Sequence, residues 1–349
     1  MIEIWYAILS FMLLMFVVLE GFDIGAGMLQ YVVGKTEAER RMVIAAIGPL
    51  WSWHEVWLVG FGGTLMVAFP PILAVSFAGF YLAFFLLLWC LVLRGVSLEL
   101  SGHITDPLWR TGWHFIFVAS NLLLAILIGA ALGNVLRGVP LGADGKFALA
   151  FFTNFSPRGN VGILDWYTVS VAAFILATFA AHGANGLAQK TEGPVHDRSL
   201  RLARSLWKIV LGLLVVITAE TWDVRPKLLL GISHHPFGWF GLICVVGGII
   251  GIFTGLRTGM ELRALIGSSA FIAGLMIAGA AGVFPVMMYS TLAPEYSLSA
   301  YDMAAAGHGL AVALVWWPIA LTFAVVYFLF IYRYYAGKVR PGEDNQNPY

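Results

Sequence analysis

Five side chains in the first sixty residues have the types and spacing to handle protons. Glu20 and Asp23 lie in LEGFDIGAG, residues 19–27, and Ser52, His54 and Glu55 in WSWHEVWL, residues 51–58. Both stretches are otherwise apolar. A carboxylate at mid-bilayer costs at least about 2.5 kcal/mol, so it must be paired, protonated or in contact with water. Glu20 and Asp23 are three residues apart and share one helix face. A histidine changes charge near physiological pH, and a serine can hand on a proton without storing charge. At about 1.5 Å per residue, Asp23 lies roughly 16 Å from the loop at Gly34, and Ser52 to Glu55 roughly 22–27 Å from Glu37. The five residues are therefore expected in one polar layer between the first two helices. Neither helix carries Lys or Arg at that depth. The layer is expected to keep at least one acid neutral, able to donate to its neighbour. The competing reading is a buried polar pair that only fixes packing. Gly21 and Gly25, four apart, allow another helix to approach closely.

The elements that position these residues are membrane helices. The 349 residues are 60% hydrophobic and 11% charged, against about 25% charged in soluble domains. Mean hydropathy is +0.85. A net charge of +1 gives no footprint for nucleic acid. Cys90 and Cys244 lie in apolar runs and read as small hydrophobes rather than a disulfide or metal pair. The expected fold is an all-α polytopic membrane protein of nine helices, near 4–33, 37–69, 74–100, 112–136, 162–187, 204–222, 237–256, 263–288 and 306–335. Residues 1–340 form one transmembrane domain and 341–349 a short tail. The first stretch is too long for a signal peptide and reads as a retained span. Thr36 and Glu39 form a capping box opening helix 2, and Pro49 should kink that helix. Pro70-Pro71 leaves almost no room between helices 2 and 3, which implies a tight antiparallel hairpin. Of the 20 Lys and Arg residues, 15 fall on one set of alternate loops, which places the C-terminus in the cytoplasm and the N-terminus outside.

Several motifs resemble subunit II of cytochrome bd-type quinol oxidases. They are GFDIGAGML with the following E-R-R loop, and W-x-x-x-E-V-W-L at 51–58. Leu93-Arg94-Gly95-Val96 with Glu99, Gly133-Asn134 and Leu136-Arg137-Gly138-Val139-Pro140 follow. His182-Gly183, Phe284-Pro285 and Ser290 complete the set. Their order and spacing cover nearly the whole chain. The resemblance implies a two-subunit respiratory oxidase of the plasma membrane of bacteria or archaea, taking electrons from quinol to reduce O₂. It implies b-type and d-type haems in partner subunit I and none in this chain, which would buttress subunit I and contribute to a proton path. A structural quinone or lipid, and small accessory subunits, are compatible with it. On this reading Trp51, Trp53, Trp57 and His182 are the residues for a quinone or lipid contact, and Arg94 and Glu99 are interface or structural residues.

The sequence departs from the family pattern in places. The family's helix 2 acid is Ser52 and its asparagine is His54. The Trp-Asp at the helix 4 entrance is Trp113-His114, and helix 9 opens with Asp302-Met303-Ala304-Ala305 and His308. Loss of the helix 2 acid puts a proton route there in question, with Glu55 one turn away to replace it. His103 is expected to be solvated near a loop, and His114 to be an interfacial hydrogen-bonding residue. Two other functions stay open. One is a transporter with an intramembrane carboxylate site. The other is a diverged subunit with its own haem, motivated by His54, His114 and His308, which would need two facing ligands.

Overall fold

The computed structural model describes residues 1–159 and 161–340; the expected tail at 341–349 lies outside the described residues. In chain order the helices are α1 Ile2–Met28, α2 Gln30–Val33, α3 Glu37–Ile47, α4 Trp51–Ala68, α5 Pro70–Gly79, α6 Tyr81–Leu100 and α7 Pro107–Arg137. Then come α8 Trp166–Lys190, α9 Gly193–Val224, α10 Pro226–His234, α11 Pro236–Thr258, α12 Glu261–Val283, α13 Ala300–Met303 and α14 Gly307–Tyr334. A two-stranded antiparallel hairpin, β1 Val286–Met288 with β2 Leu298–Ser299, lies between α12 and α13. Eight of these helices are long and apolar enough to cross a membrane, and the α3–α4 pair makes a ninth span when counted as one.

Local chemistry sets the helix ends. Thr36 accepts from the backbone of Glu39, whose carboxylate accepts in return from the Thr36 backbone, so the capping box opens α3. Asp106 and Asp165 are simple N-caps of α7 and α8, their carboxylates accepting from the Trp109 and Thr168 backbones. Gly259 ends α11 in the left-handed conformation, at φ 72°. Pro49 falls in the break between α3 and α4, which are bent by 44°. The kink is therefore a full interruption of the second span, because proline removes a backbone donor and its ring crowds the preceding turn.

The expected tight hairpin of helices 2 and 3 is not what forms. The ten-residue α5 intervenes, and α4 packs chiefly on α1 while α6 packs on α7. The ring of Phe147, from the loop after α7, fills the space beside Gly79. It packs edge-on to Phe80, 5.1 Å between ring centres. The start of α4 and the end of α6 meet through side chains, Glu55 with Arg94 and Trp51 against Gly95.

The most enclosed helix is α8, which packs against α1, α7, α9 and α12. It meets α1 at Gly25 and Gly183, where the backbones touch. The longest-running contact is α11 on α12. There Gly241, Gly248 and Gly255, spaced seven apart, face Gly274, Gly267 and Ala264. A second apolar core holds Trp5, Leu9, Phe69, Phe147 and Met288, and it closes the end of the bundle where α1 begins.

Candidate functional site

The five expected residues do not all meet. Glu20 and Asp23 on α1, His54 and Glu55 on α4 and Arg94 on α6 converge into one ionic cluster. Arg94 is its centre and is fully buried. Its Nη1 donates to Glu20 and, at 3.0 Å, to Glu55 Oε1, and its Nη2 lies 3.7 Å from Asp23 Oδ2. The Arg94 guanidinium lies 6.0 Å from the Trp51 ring centre, in cation–π range. His54 Nδ1 is 2.6 Å from Asp23 Oδ2, and its Nε2 is 2.8 Å from the Tyr332 hydroxyl near the end of α14. The cluster ties four helices together.

The expectation that no cation reaches this layer is thus corrected. Neither of the first two helices carries a cation at this depth, and α6 supplies Arg94. Ser52 is the other correction. It is exposed on the outer face of α4 and makes no hydrogen bond to the layer among the described residues. Residues two apart on a helix do not face the same way, so a chain that turns His54 inward turns Ser52 out. The second span is not a straight helix from Glu37, and its 44° bend alters the depth of Ser52 to Glu55. Arg94 lies six residues before the end of α6 and Tyr332 two before the end of α14, about 9 Å and about 3 Å. The cluster therefore sits toward the ends of these helices rather than at mid-bundle.

Glu20, Asp23 and His54 offer ligand atoms all within 4.8 Å of one another, a spacing that could hold a metal ion. The Arg94 guanidinium already stands among these oxygens and fills the cation's place. Glu20 Oε2 and Asp23 Oδ1 have no hydrogen-bond partner among the described residues.

The four residues expected at a quinone or lipid contact are spread over three environments. Trp51 covers Arg94. Trp53 packs on Tyr327 and Phe328, with ring centres 4.4 and 6.4 Å away. Trp57, beside Phe11 and Phe328, lines a cleft of about 750 Å³ between α1, α4 and α14. His182 is buried elsewhere, bonded to Ser268 Oγ at 2.7 Å and the Val18 carbonyl at 3.0 Å. Of the two interface candidates, Arg94 is internal and Glu99 is exposed. His103 is exposed, bonded to the Glu99 carbonyl, while His114 is buried 3.7 Å from Glu37. His308 is exposed at the opposite end of α14 from Tyr332. Twenty-four residues of helix separate them, about 36 Å, so His54 and His308 do not face each other as a ligand pair.

A second arginine, Arg137, is also buried, and in the sequence it stands only within the motif at 136–140. Arg137 is paired with Asp165 and donates to Asn134 Oδ1 at 2.7 Å and to the Gly162 carbonyl at 3.1 Å. Asp165 also caps α8, so one carboxylate fixes the start of α8 to the end of α7. An aspartate two residues before Tyr167, opening an apolar run, is the only sequence signal for this role. Tyr332 reads from the sequence only as an interfacial aromatic anchor near a span end.

A family model described as cytochrome bd terminal oxidase subunit II matches residues 1–335. The chain is 28% identical over 362 residues to a probable cytochrome oxidase subunit 2 of Haemophilus influenzae, covering 96% of this chain and 94% of that one. It is 28% identical over 327 residues to the cytochrome bd-I ubiquinol oxidase subunit 2 of Escherichia coli K12, covering 86% and 84%. The Bacillus subtilis cytochrome bd ubiquinol oxidase subunit 2 is 27% identical over 318 residues, covering 89% and 88%. The fold is similar to a chain in the structure of bd oxidase from Geobacillus thermodenitrificans, with a TM-score of 0.72 at 15% identity, covering 96% and 98%. The helical membrane bundle and the match over residues 1–335 agree: the chain belongs to the cytochrome bd terminal oxidase subunit II family, as a multi-pass plasma-membrane subunit of a respiratory oxidoreductase whose catalysis lies in the assembled complex.

Proposed function

We propose that this chain is the haem-free subunit II of a quinol:O₂ oxidoreductase, with its N-terminus outside and its C-terminal tail on the cytoplasmic side. It stabilises a haem-bearing subunit I that holds b-type and d-type haems, and its buried cluster holds and passes protons. The observation that carries the proton reading is the cluster's charge. Three carboxylates face one guanidinium. Two negative charges stay uncompensated with His54 neutral, and one with it protonated. Surplus charge away from water is costly, and a proton is the smallest counter-charge. Glu20 Oε2 and Asp23 Oδ1 have no partner among the described residues, so both carboxyl groups have a free oxygen and room to carry a proton.

The test is Asp23→Asn in the assembled complex. The substitution keeps shape and hydrogen bonding but removes the titrating group. We expect complex with its full haem spectrum and a turnover at least tenfold lower. Normal turnover would reduce the cluster to a packing device. Asp23→Leu leaves His54 and Arg94 short of a partner, at about 1–3 kcal/mol per orphaned group, and should impair assembly under either reading.

A further inference from the structure

We propose that Tyr332 and His54 form a proton relay between the tail-side surface of the subunit and the buried cluster, an inference that rests on the proton-holding role proposed above. His54 is buried, and each ring nitrogen has one partner, Asp23 Oδ2 at 2.6 Å and the Tyr332 hydroxyl at 2.8 Å. Tyr332 is 38% exposed and stands two residues before the end of α14. Two hydrogen bonds therefore link the cluster through His54 to Tyr332, a residue that is part-exposed at the tail side. Glu55, the other partly exposed member, is bonded to Arg94 instead. The charged groups facing this line are Asp23 on α1, with Glu20 beyond it, Arg94 on α6 and Glu55 on α4.

One transfer balances as follows. Tyr332 gives its phenolic proton to His54 Nε2 while its oxygen takes a proton from surface water. The Nδ1 proton of the same ring passes to Asp23 Oδ2. One proton enters at the phenol and one arrives on the carboxylate. The imidazole ends neutral in its other tautomer, and exchange of its ring protons with water, once the Tyr332 contact opens, restores the first. Both transfers through His54 use hydrogen bonds already in place.

The test uses the complete oxidase with Tyr332→Phe, His54→Gln, their double variant and Asp23→Asn. Haem content, KM for quinol, kcat and the solvent deuterium isotope effect on kcat are read for each. A relay in series predicts that Tyr332→Phe keeps its haem spectrum and KM, loses kcat several-fold and shows a larger isotope effect. The double variant is then no slower than His54→Gln alone. Wild-type kcat and isotope effect in Tyr332→Phe, with slow Asp23→Asn, overturn the relay and leave the cluster's proton role standing. Wild-type turnover in Asp23→Asn removes that role, and the relay with it. A fall in Tyr332→Phe activity that tracks lost haem shows the contact to be only a clasp for α14, and also overturns the relay.

Discussion

Arg94 is the residue on which the interior ionic chemistry depends. It is fully buried and serves three carboxylates from two other helices. Removing one partner of a buried pair leaves an uncompensated charge, at about 3–5 kcal/mol. Arg94→Leu should therefore abolish accumulation of assembled complex, seen as loss of co-purifying subunit I and of the haem spectrum. Arg94→Lys keeps the charge but has no planar fork with which to reach Glu20, Glu55 and Asp23 together. It should assemble at reduced yield with lower thermal stability. If Arg94→Leu gave wild-type yield, the cluster would not be ionic in the membrane.

Among the elements, α8 is held by close backbone contact and α14 by its ends. A Cβ on Gly25 would overlap the Phe179 carbonyl and approach Gly183, and the backbone there has no room to yield. Gly25→Ala should destabilise by about 1–3 kcal/mol or more, read as faster thermal inactivation. Gly212→Ala, which meets nothing within 4 Å on α9, should leave stability unchanged or slightly improved. The last helix buries only Leu310 and Ile331. Beyond its contact with His54, it is strapped at the tail side. Val339 donates to the Lys190 carbonyl at 2.8 Å, Lys190 to the Tyr335 carbonyl at 3.1 Å, and Lys338 pairs with Glu261 at 2.9 Å. Deleting residues 336–349 should lower the yield of assembled complex several-fold. Lys338→Ala alone removes one part-exposed pair, worth up to about 1 kcal/mol, and should change little. Equal effects of the two, measured by co-purification, would show that the strap does not act as a unit.

At the scale of the molecule, the apolar window of α14 is unburied within the chain, and that of α9 nearly so. Membrane or a partner subunit must cover such surfaces. The chain should thus be recovered from mild detergent together with subunit I, and haem should follow the partner. A pyridine haemochrome assay on this chain after separation from subunit I should read none. Stoichiometric haem that disappears in His54→Ala would reverse that assignment. A lone chain that transports a solute in liposomes would reverse the functional reading entirely.

The all-helical membrane fold, the approximate span positions and the family were legible without the structure, because hydrocarbon thickness dictates about twenty apolar residues per crossing and proline, glycine and capping residues act within a turn of where they stand. That Glu20, Asp23, His54 and Glu55 belong together was legible too, since α1 and α4 are antiparallel neighbours joined by a short connection. Arg94, Tyr332 and the outward turn of Ser52 were not. Arg94 comes from a helix 74 residues away from Glu20, and Tyr332 from one 278 residues away from His54. No local rule relates positions so distant. Which face of α4 turns inward is set by packing on α1 and α14, and the break at Pro49 shifts both depth and direction. The sequence alone determined that charge had to be buried and in which helices. Only the tertiary structure decided what neutralises it, because the counter-charge arrives by helix packing rather than along the chain.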